Sequence, residues 1–152
     1  MIVAVYGNRD YDDALLELRD LLEQRGFRVI AAAAFIAEHN IMRSVATGRP
    51  DEQDFKAFEK FAQDVVKKLA KINKAAAAEP LALKGNLPYR EYNGVPFKPS
   101  ADNSCVKCGL CAAKCPVKAI PTETPENTDT EKCITCMRCI KVCPQGARSL
   151  NK

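Results

Sequence analysis

The sequence predicts an α/β layer followed by a smaller α+β domain, and three observations lead to that prediction. An apolar run, an amphipathic segment and a second apolar run follow one another within Ile2–Ala32. All eight cysteines lie within Cys105–Cys143. Four prolines occur within Pro80–Pro99, between these two parts. The predicted organisation is a first domain at residues 1–78, an ordered proline-rich linker at 79–97 and a cysteine-rich domain at 98–152.

The first part is predicted to be a βαβ unit. Ile2–Tyr6 is expected to be a parallel strand buried on both faces, because all five residues are apolar. Asp12 or Asp13 is expected to cap the following helix, and Gly26 to end it. In that helix the buried stripe is predicted to be Ala14, Leu18, Leu21 and Leu22, and the exposed face Arg19, Glu23 and Gln24. Phe27–Ala32 is the predicted second strand, reached by a right-handed crossover.

A second helix is predicted after a less regular stretch. Residues 33–43 are expected to form a loop or a short helix. After Gly48 and Pro50 break the chain, Asp51 opens a segment whose apolar residues recur every three or four positions. These residues are Phe55, Phe58, Ala62, Val65, Leu69 and Ile72. The pattern predicts a helix of about five turns that packs on the small sheet rather than a coiled coil.

The cysteine-rich part contains an internal repeat. Cys105-x-x-Cys108-x-x-Cys111-x-x-x-Cys115-Pro116 returns 28 residues later as Cys133-x-x-Cys136-x-x-Cys139-x-x-x-Cys143-Pro144. Two-residue gaps allow a tight loop to present three thiolates in succession, and this spacing is typical of iron–sulfur ligation. Structural zinc normally uses two separated Cys-x-x-Cys pairs, which would leave cysteines over. A disulfide framework would be expected in an exported protein with more widely spread cysteines.

With this doubled motif, residues 98–152 resemble a bacterial two-[4Fe–4S] ferredoxin domain. The resemblance implies a compact α+β fold with pseudo-two-fold symmetry and two [4Fe–4S] clusters that carry electrons at low potential. It also implies crossed ligation, in which the fourth cysteine of each copy binds the cluster of the other copy. The implied ligand sets are Cys105, Cys108, Cys111 and Cys143 for one cluster, and Cys133, Cys136, Cys139 and Cys115 for the other.

The charge distribution argues against a nucleic-acid partner. Residues 1–78 have no net charge, so the formal charge of +4 lies in residues 79–152. Two oxidised clusters with their thiolates would contribute about −4 and bring the protein close to neutrality. Seven basic residues between Cys105 and Arg148 are therefore expected to act as cluster counter-charges and docking positions. They are Lys107, Lys114, Lys118, Lys132, Arg138, Lys141 and Arg148.

The N-terminal part resembles the second half of a flavodoxin-like domain. Val5–Arg9 lies where flavodoxins place a flavin-contacting loop after a strand, so the whole chain looks like a ferredoxin fused to a truncated flavodoxin-like βαβ layer. The resemblance implies Asn8, Tyr11 and Asp12 as FMN contacts; the alternative is that they are turn and cap residues. No two glycines are closer than nine positions in the sequence, so a glycine-rich phosphate loop is absent.

The only histidine, His39, is expected to be a surface or core residue.

The flavodoxin strand order also predicts an interface. Ile2–Tyr6 would lose its inner neighbour and become an apolar edge, which we expect to pair with a second copy or with a chain that supplies the missing half.

The sequence also bears on location. No apolar run approaches the roughly 20 residues of a membrane helix. Met1 leads directly into an apolar run without a basic segment, so a secretory signal is not expected. The predicted location is cytoplasmic.

The predicted function is that of a low-potential one-electron carrier that exchanges electrons with redox partner proteins. The Ser, Asp and Glu residues form no recognisable triad or carboxylate pair, so catalytic residues are not expected. The alternative is an electron-transfer subunit of a flavin- and iron–sulfur-dependent oxidoreductase, with the flavin site completed by another chain. A zinc-stabilised interaction module is a third hypothesis.

Overall fold

The computed structural model describes residues 1–72 and 79–150. The chain divides into two compact units, Met1–Glu91 and Tyr92–Lys152, and the division falls inside the predicted linker. The end of the predicted first domain, residues 73–78, and the last two residues lie outside the described residues. The elements are β1 (Ile2–Tyr6), α1 (Ala14–Glu23), β2 (Ala32–Ile36), α2 (Glu52–Lys71), β3 (Pro99–Ala101), α3 (Leu110–Ala113), α4 (Arg138–Lys141) and β4 (Arg148–Leu150).

The first unit contains the predicted parallel βαβ arrangement, but its second strand lies further along the chain. β1 pairs with β2 in a register that runs from Ile2 opposite Ala32 to Tyr6 opposite Ile36. The strand predicted at Phe27–Ala32 is therefore wrong in position. Val29 and Ile30 are buried, so this apolar run marks a core contact that precedes the ladder, whereas Phe27 is 63% exposed. The loop or short helix predicted at residues 33–43 instead begins with most of β2.

Helix α1 forms where the sequence predicts a helix, but its buried face differs from the predicted one. Leu15 and Leu16 are buried, whereas Leu18 is 38% and Leu21 is 47% exposed. Arg19, which is predicted to face water, is half-buried and donates from Nη1 to the carbonyl oxygen of Leu81 at 2.9 Å. The helix turns this face inward because a distant segment, which includes Leu81, packs against it.

Residues 84–90 are anchored to the start of α1 by one carboxylate. Asp13 accepts hydrogen bonds from the backbone N–H of Arg90 and from that of Asn86, each at 2.7 Å. These bonds lower the pKa of Asp13. The residue holds the N-cap position but its side chain does not cap the helix, contrary to the predicted role. Gly85 fits closely here, since a Cβ on it would lie 2.6 Å from Cδ2 of Leu16.

Helix α2 begins where the sequence predicts. Asp51 is its N-cap and accepts hydrogen bonds from the N–H groups of Gln53 and Asp54. Asp54 completes a capping box by accepting from the Asp51 N–H at 2.8 Å. The Arg49 guanidinium binds the Asp54 carboxylate and lowers its pKa to about 2. The helix start is therefore fixed by both a cap and an ion pair.

The apolar face of α2 is narrower than predicted. Phe58 and Phe61 pack on Phe35 of β2, with ring centroids 4.3 and 5.7 Å apart, respectively. Phe55 and Leu69 belong to the predicted apolar face but are 54% and 53% exposed. Because the sheet has two strands within the described part of the chain, it offers the helix a narrow surface to cover.

The second unit contains two similar backbone segments, one for each copy of the cysteine repeat. Helix α4 lies 28 residues after α3 at both ends, as the cysteine repeat does. β3 and β4 pair antiparallel, from Pro99 opposite Leu150 to Ala101 opposite Arg148. The buried core includes Cys111, Ala112 and Ile120. No helix within residues 1–72 and 79–150 combines the length and the apolar character needed to span a lipid bilayer.

Candidate iron–sulfur centres

The loops that carry the cysteines share a backbone conformation. Within residues 105–147, six residues have a positive φ, and they form three pairs separated by the repeat length of 28 residues: Lys107 with Thr135, Gly109 with Met137, and Lys118 with Gly146. Left-handed residues alternating with ordinary ones turn successive N–H groups toward one side, which creates a concave surface suited to anions. The two copies therefore build the same type of anion-binding loop.

The first cysteine-lined cavity takes residues from both copies of the repeat. Its cysteines are Cys105, Cys108, Cys111 and Cys143. Gly109, Pro125, Ala147 and Arg148 also line it. The cavity occupies about 320 Å³, counted with its opening to solvent. It brings together three sulfurs from the first copy and one from the second, which is the grouping implied by the ferredoxin resemblance.

The second cavity is the counterpart of the first. Its cysteines are Cys115, Cys133, Cys136 and Cys139, and its volume is about 340 Å³ on the same basis. Ala119 and Ile120 line it in the positions that Ala147 and Arg148 take in the first cavity, 28 residues further on. The structure thus brings all eight predicted site residues into two groups of four.

Backbone N–H groups point at the fourth cysteine of each copy. The N–H of Ala119 donates to Sγ of Cys115 at 3.2 Å. Burial raises the pKa of the Cys143 thiol, but hydrogen bonds from the backbone N–H groups of residues 145–148 outweigh it and leave that pKa below its usual value. Donors of this kind stabilise a thiolate, the form in which cysteine binds metal.

The donor set fits a polynuclear group better than a single ion. Among the described residues, no three His, Cys, Asp or Glu side chains converge closely enough to hold one metal ion. All eight cysteines are free of disulfide bonds. Four thiolates around each cavity suit a cubane with four iron corners.

One cation of the predicted docking set lies inside the module instead of on its surface. Arg148 is only 2% exposed, and its Nη1 lies 3.8 Å from Sγ of Cys111. Burial raises the pKa of the Cys139 thiol, while the Arg148 guanidinium acts in the opposite direction. The docking role predicted for Arg148 is therefore wrong, whereas the other six basic residues of that set are exposed.

The residues proposed for FMN have turn and packing roles in the structure. Asp12 forms ion pairs with Arg9 and Arg90. The Tyr11 ring packs edge-on against Tyr6, with the centroids 5.3 Å apart. Asn8 and Asp12 both have a positive φ, as turn residues do. These contacts favour the turn interpretation of the loop.

His39 has a structural role in the same unit. Its Nδ1 accepts hydrogen bonds from the backbone N–H groups of Ile41 at 3.1 Å and Met42 at 3.0 Å. Gly7 packs on it so closely that a Cβ at Gly7 would lie 2.9 Å from the His39 Cα. These contacts fix the turn that follows β2.

Comparison with known proteins matches the cysteine-rich region. Residues 104–147 match the family model of the 4Fe-4S dicluster domain. An uncharacterized protein of Methanocaldococcus jannaschii is 42% identical over 50 residues, which are 33% of this chain and 19% of that protein. A second uncharacterized protein of the same organism is 38% identical over 55 residues, or 36% of this chain and 22% of that protein.

A relative with a functional name matches a similar share of the chain. A protein of Methanosarcina acetivorans, named as a component of an ion-translocating oxidoreductase complex, is 38% identical over 58 residues, which are 38% of this chain and 22% of that protein. The chain thus spans about a fifth of the length of these relatives. No solved structure gives a significant match. None of the comparisons supports a flavodoxin-like domain in the N-terminal unit. Residues 104–147 are a 4Fe–4S dicluster domain of the ferredoxin type, and the chain carries two [4Fe–4S] clusters.

Proposed function

We propose that this chain is a low-potential one-electron carrier with crossed ligation of its two clusters. In this proposal Cys105, Cys108, Cys111 and Cys143 hold one cluster, and Cys133, Cys136, Cys139 and Cys115 hold the other. The observation that supports it is the grouping of sulfurs, three from one copy and one from its twin, around each cavity. A [4Fe–4S] cluster supplies reversible one-electron chemistry, with a potential set by hydrogen bonds, charge and solvent exposure.

The protein residues are suited to this role without acid–base chemistry. The N–H groups near Cys115 and Cys143 stabilise thiolate charge. Buried Ala112 and Ile120 exclude water from the region between the cysteines. Electron exchange needs an accessible edge, and Cys108 and Cys136 are both exposed. Redox partners are expected to dock around these two cysteines, where Val106 is 62% and Ile134 is 56% exposed.

Anaerobic purification with iron, sulfide and flavin measured together tests this function. We expect about eight irons and about eight sulfides per chain, no flavin, and uptake of about one electron per cluster in a dithionite titration followed by EPR. Zinc in place of iron, in a colourless protein, would contradict the electron-carrier role.

Membership in a larger redox complex is a second candidate, favoured by the name of the Methanosarcina relative, which is that of a component of an oxidoreductase complex. In this version the clusters relay electrons to or from a flavin held by another chain. Affinity purification from native cells at low salt distinguishes the two candidates. FMN that appears only in the co-purifying partner, in a fixed ratio to this chain, would support the second.

We also propose that β1 pairs with a second copy of the chain through its free edge. Within the described residues β1 pairs with β2 alone, so its other edge has no strand partner there. The side chains of Val3 and Val5 lie on one face of the strand and are 38% and 69% exposed. An apolar edge of this kind readily accepts another strand. Sedimentation at micromolar concentration is expected to show a dimer, and Val5→Lys to weaken it. A wild-type monomer with a folded first unit would refute the pairing.

A further inference from the structure

A buried guanidinium makes the two cysteine-lined cavities electrostatically unequal. Arg148 donates from Nη1 to the carbonyl oxygen of Pro125 at 2.6 Å and from Nη2 to that of Pro99 at 3.2 Å. Thr128 Oγ1 is a third partner, and the Nε atom has none. None of these partners is a carboxylate, and no ion pair joins Arg148 to an acidic side chain within the described part of the chain. Burial of an unneutralised charge is unfavourable unless another charge compensates for it.

The internal repeat supplies a direct comparison for this residue. Arg148 lies 28 positions after Ile120, which is also buried, at 5% exposure. Each of the two lines a different cavity, Arg148 the one with Cys111 and Ile120 the one with Cys139. The two cavities share their cysteine arrangement, and each lining contains one arginine. Arg138 of the second cavity is exposed, whereas Arg148 of the first is buried, so solvent screens only the charge of the second cavity.

We propose that Arg148 raises the reduction potential of the cluster held by Cys105, Cys108, Cys111 and Cys143 above that of the other cluster. This inference rests on the proposed electron-carrier function. Reduction adds one electron to a centre whose charge, thiolates included, changes from about −2 to about −3. The Arg148 guanidinium lies 3.8 Å from Sγ of Cys111, and this cation stabilises the more negative state of that cluster, the more so away from water. It also acts on Cys139 of the other ligand set, so both midpoint potentials are expected to depend on it.

This asymmetry gives electron transfer a direction within the module. An electron that enters at either cluster resides mainly on the centre next to Arg148, because that centre has the higher potential. The driving force for electron transfer from the donor, or to the acceptor, then depends on which of the two clusters the partner contacts. The residue acts by positioning charge and takes no part in bond making.

Substitution by the residue of the twin position tests the proposal. In Arg148→Ile the higher of the two midpoint potentials is expected to fall, and the lower one to change less. We expect the reduced-to-oxidised ratio of the Arg148-side cluster to fall at least tenfold at a fixed solution potential, which corresponds to about 59 mV for one electron. Arg148→Lys keeps the charge and is expected to retain most of the separation. EPR-monitored potentiometric titration of the full chain gives both midpoints.

Two controls separate charge from structure. Lys114→Ala removes an exposed cation from the same module and is expected to leave both midpoints nearly unchanged, because solvent screens that charge. If Arg148→Ile binds fewer than about eight irons, Arg148→Gln is compared with Arg148→Lys, since glutamine retains a hydrogen-bond donor without the charge.

The outcomes distinguish this inference from the function on which it rests. A wild-type chain without clusters would overturn both. Fully loaded wild type and Arg148→Ile with the same two midpoints would overturn only the role of Arg148, and so would equal shifts in the lysine and glutamine variants. A selective fall of the higher midpoint in the neutral variants supports the proposal.

Discussion

Replacing Cys115 and Cys133 together with serine is expected to remove one cluster and leave the other, with about four irons per chain instead of about eight. Both residues line the same cavity, although they come from different copies of the repeat. The remaining cavity keeps its four cysteines and therefore its full ligand set. Iron and sulfide assays on anaerobic protein, together with EPR after reduction, measure the result.

A matched pair of substitutions makes this experiment decisive. Cys133→Ser with Cys143→Ser removes one sulfur from each cavity and is expected to damage both clusters. If each copy of the repeat instead held its own cluster, the two double variants would exchange outcomes. One intact cluster in the Cys133/Cys143 variant, and none in the Cys115/Cys133 variant, would therefore contradict crossed ligation.

The second large effect is expected in the first unit, where Leu15→Ala should lower the unfolding free energy by about 2–5 kcal/mol. Leu15 is 5% exposed and belongs to a core cluster with Ile2 and Val29. Its truncation leaves a cavity that a small two-stranded layer has little capacity to fill. The urea midpoint for loss of helical circular dichroism, measured on the anaerobic full chain, records the change.

Leu21→Ala provides the control on the same helix. Leu21 is 47% exposed, so its truncation is expected to cost about 1 kcal/mol or less. Similar losses for both variants would mean that both faces of α1 are buried in solution. A greater loss of unfolding free energy for Leu21→Ala than for Leu15→Ala would support the buried stripe predicted from the sequence.

The parts of the fold that the sequence predicts well depend on short-range chemistry. The start of α2 follows from Asp51 and Asp54, whose side chains bind backbone N–H groups within one turn. The first three cysteines of each copy follow from their spacing within one short loop, where the chain itself brings the sulfurs together. Such features need no information about distant residues.

The parts that the sequence predicts poorly depend on distant contacts. The buried face of α1 is set by residues more than 60 positions away, through Arg19 with Leu81 and Asp13 with Arg90. The position of β2 depends on which residues of the apolar run Phe27–Ile36 form ladder hydrogen bonds. Hydrophobic periodicity does not distinguish the alternatives, because leucines occur on both faces of α1 and the stretch Phe27–Ile36 is apolar except for Arg28.

The buried position of Arg148 differs from its predicted exposure, although the sequence does contain a signal for it. Its charge alone groups it with the exposed basic residues, yet aligning the two copies of the repeat places it opposite Ile120. A charged residue at the twin of an apolar position is unusual in a core, since ionised side chains are seldom fully buried. Aligning all residues of the two copies, and not only their cysteines and prolines, therefore identifies Arg148 as unusual.

The left-handed residues of the cysteine loops have a consequence for maturation of the protein. Four of the six positions, namely Lys107, Lys118, Thr135 and Met137, carry side chains that make this conformation costly by about 1–2 kcal/mol each. Coordination of the iron offsets that cost, so binding of the clusters is thermodynamically coupled to folding of the loops.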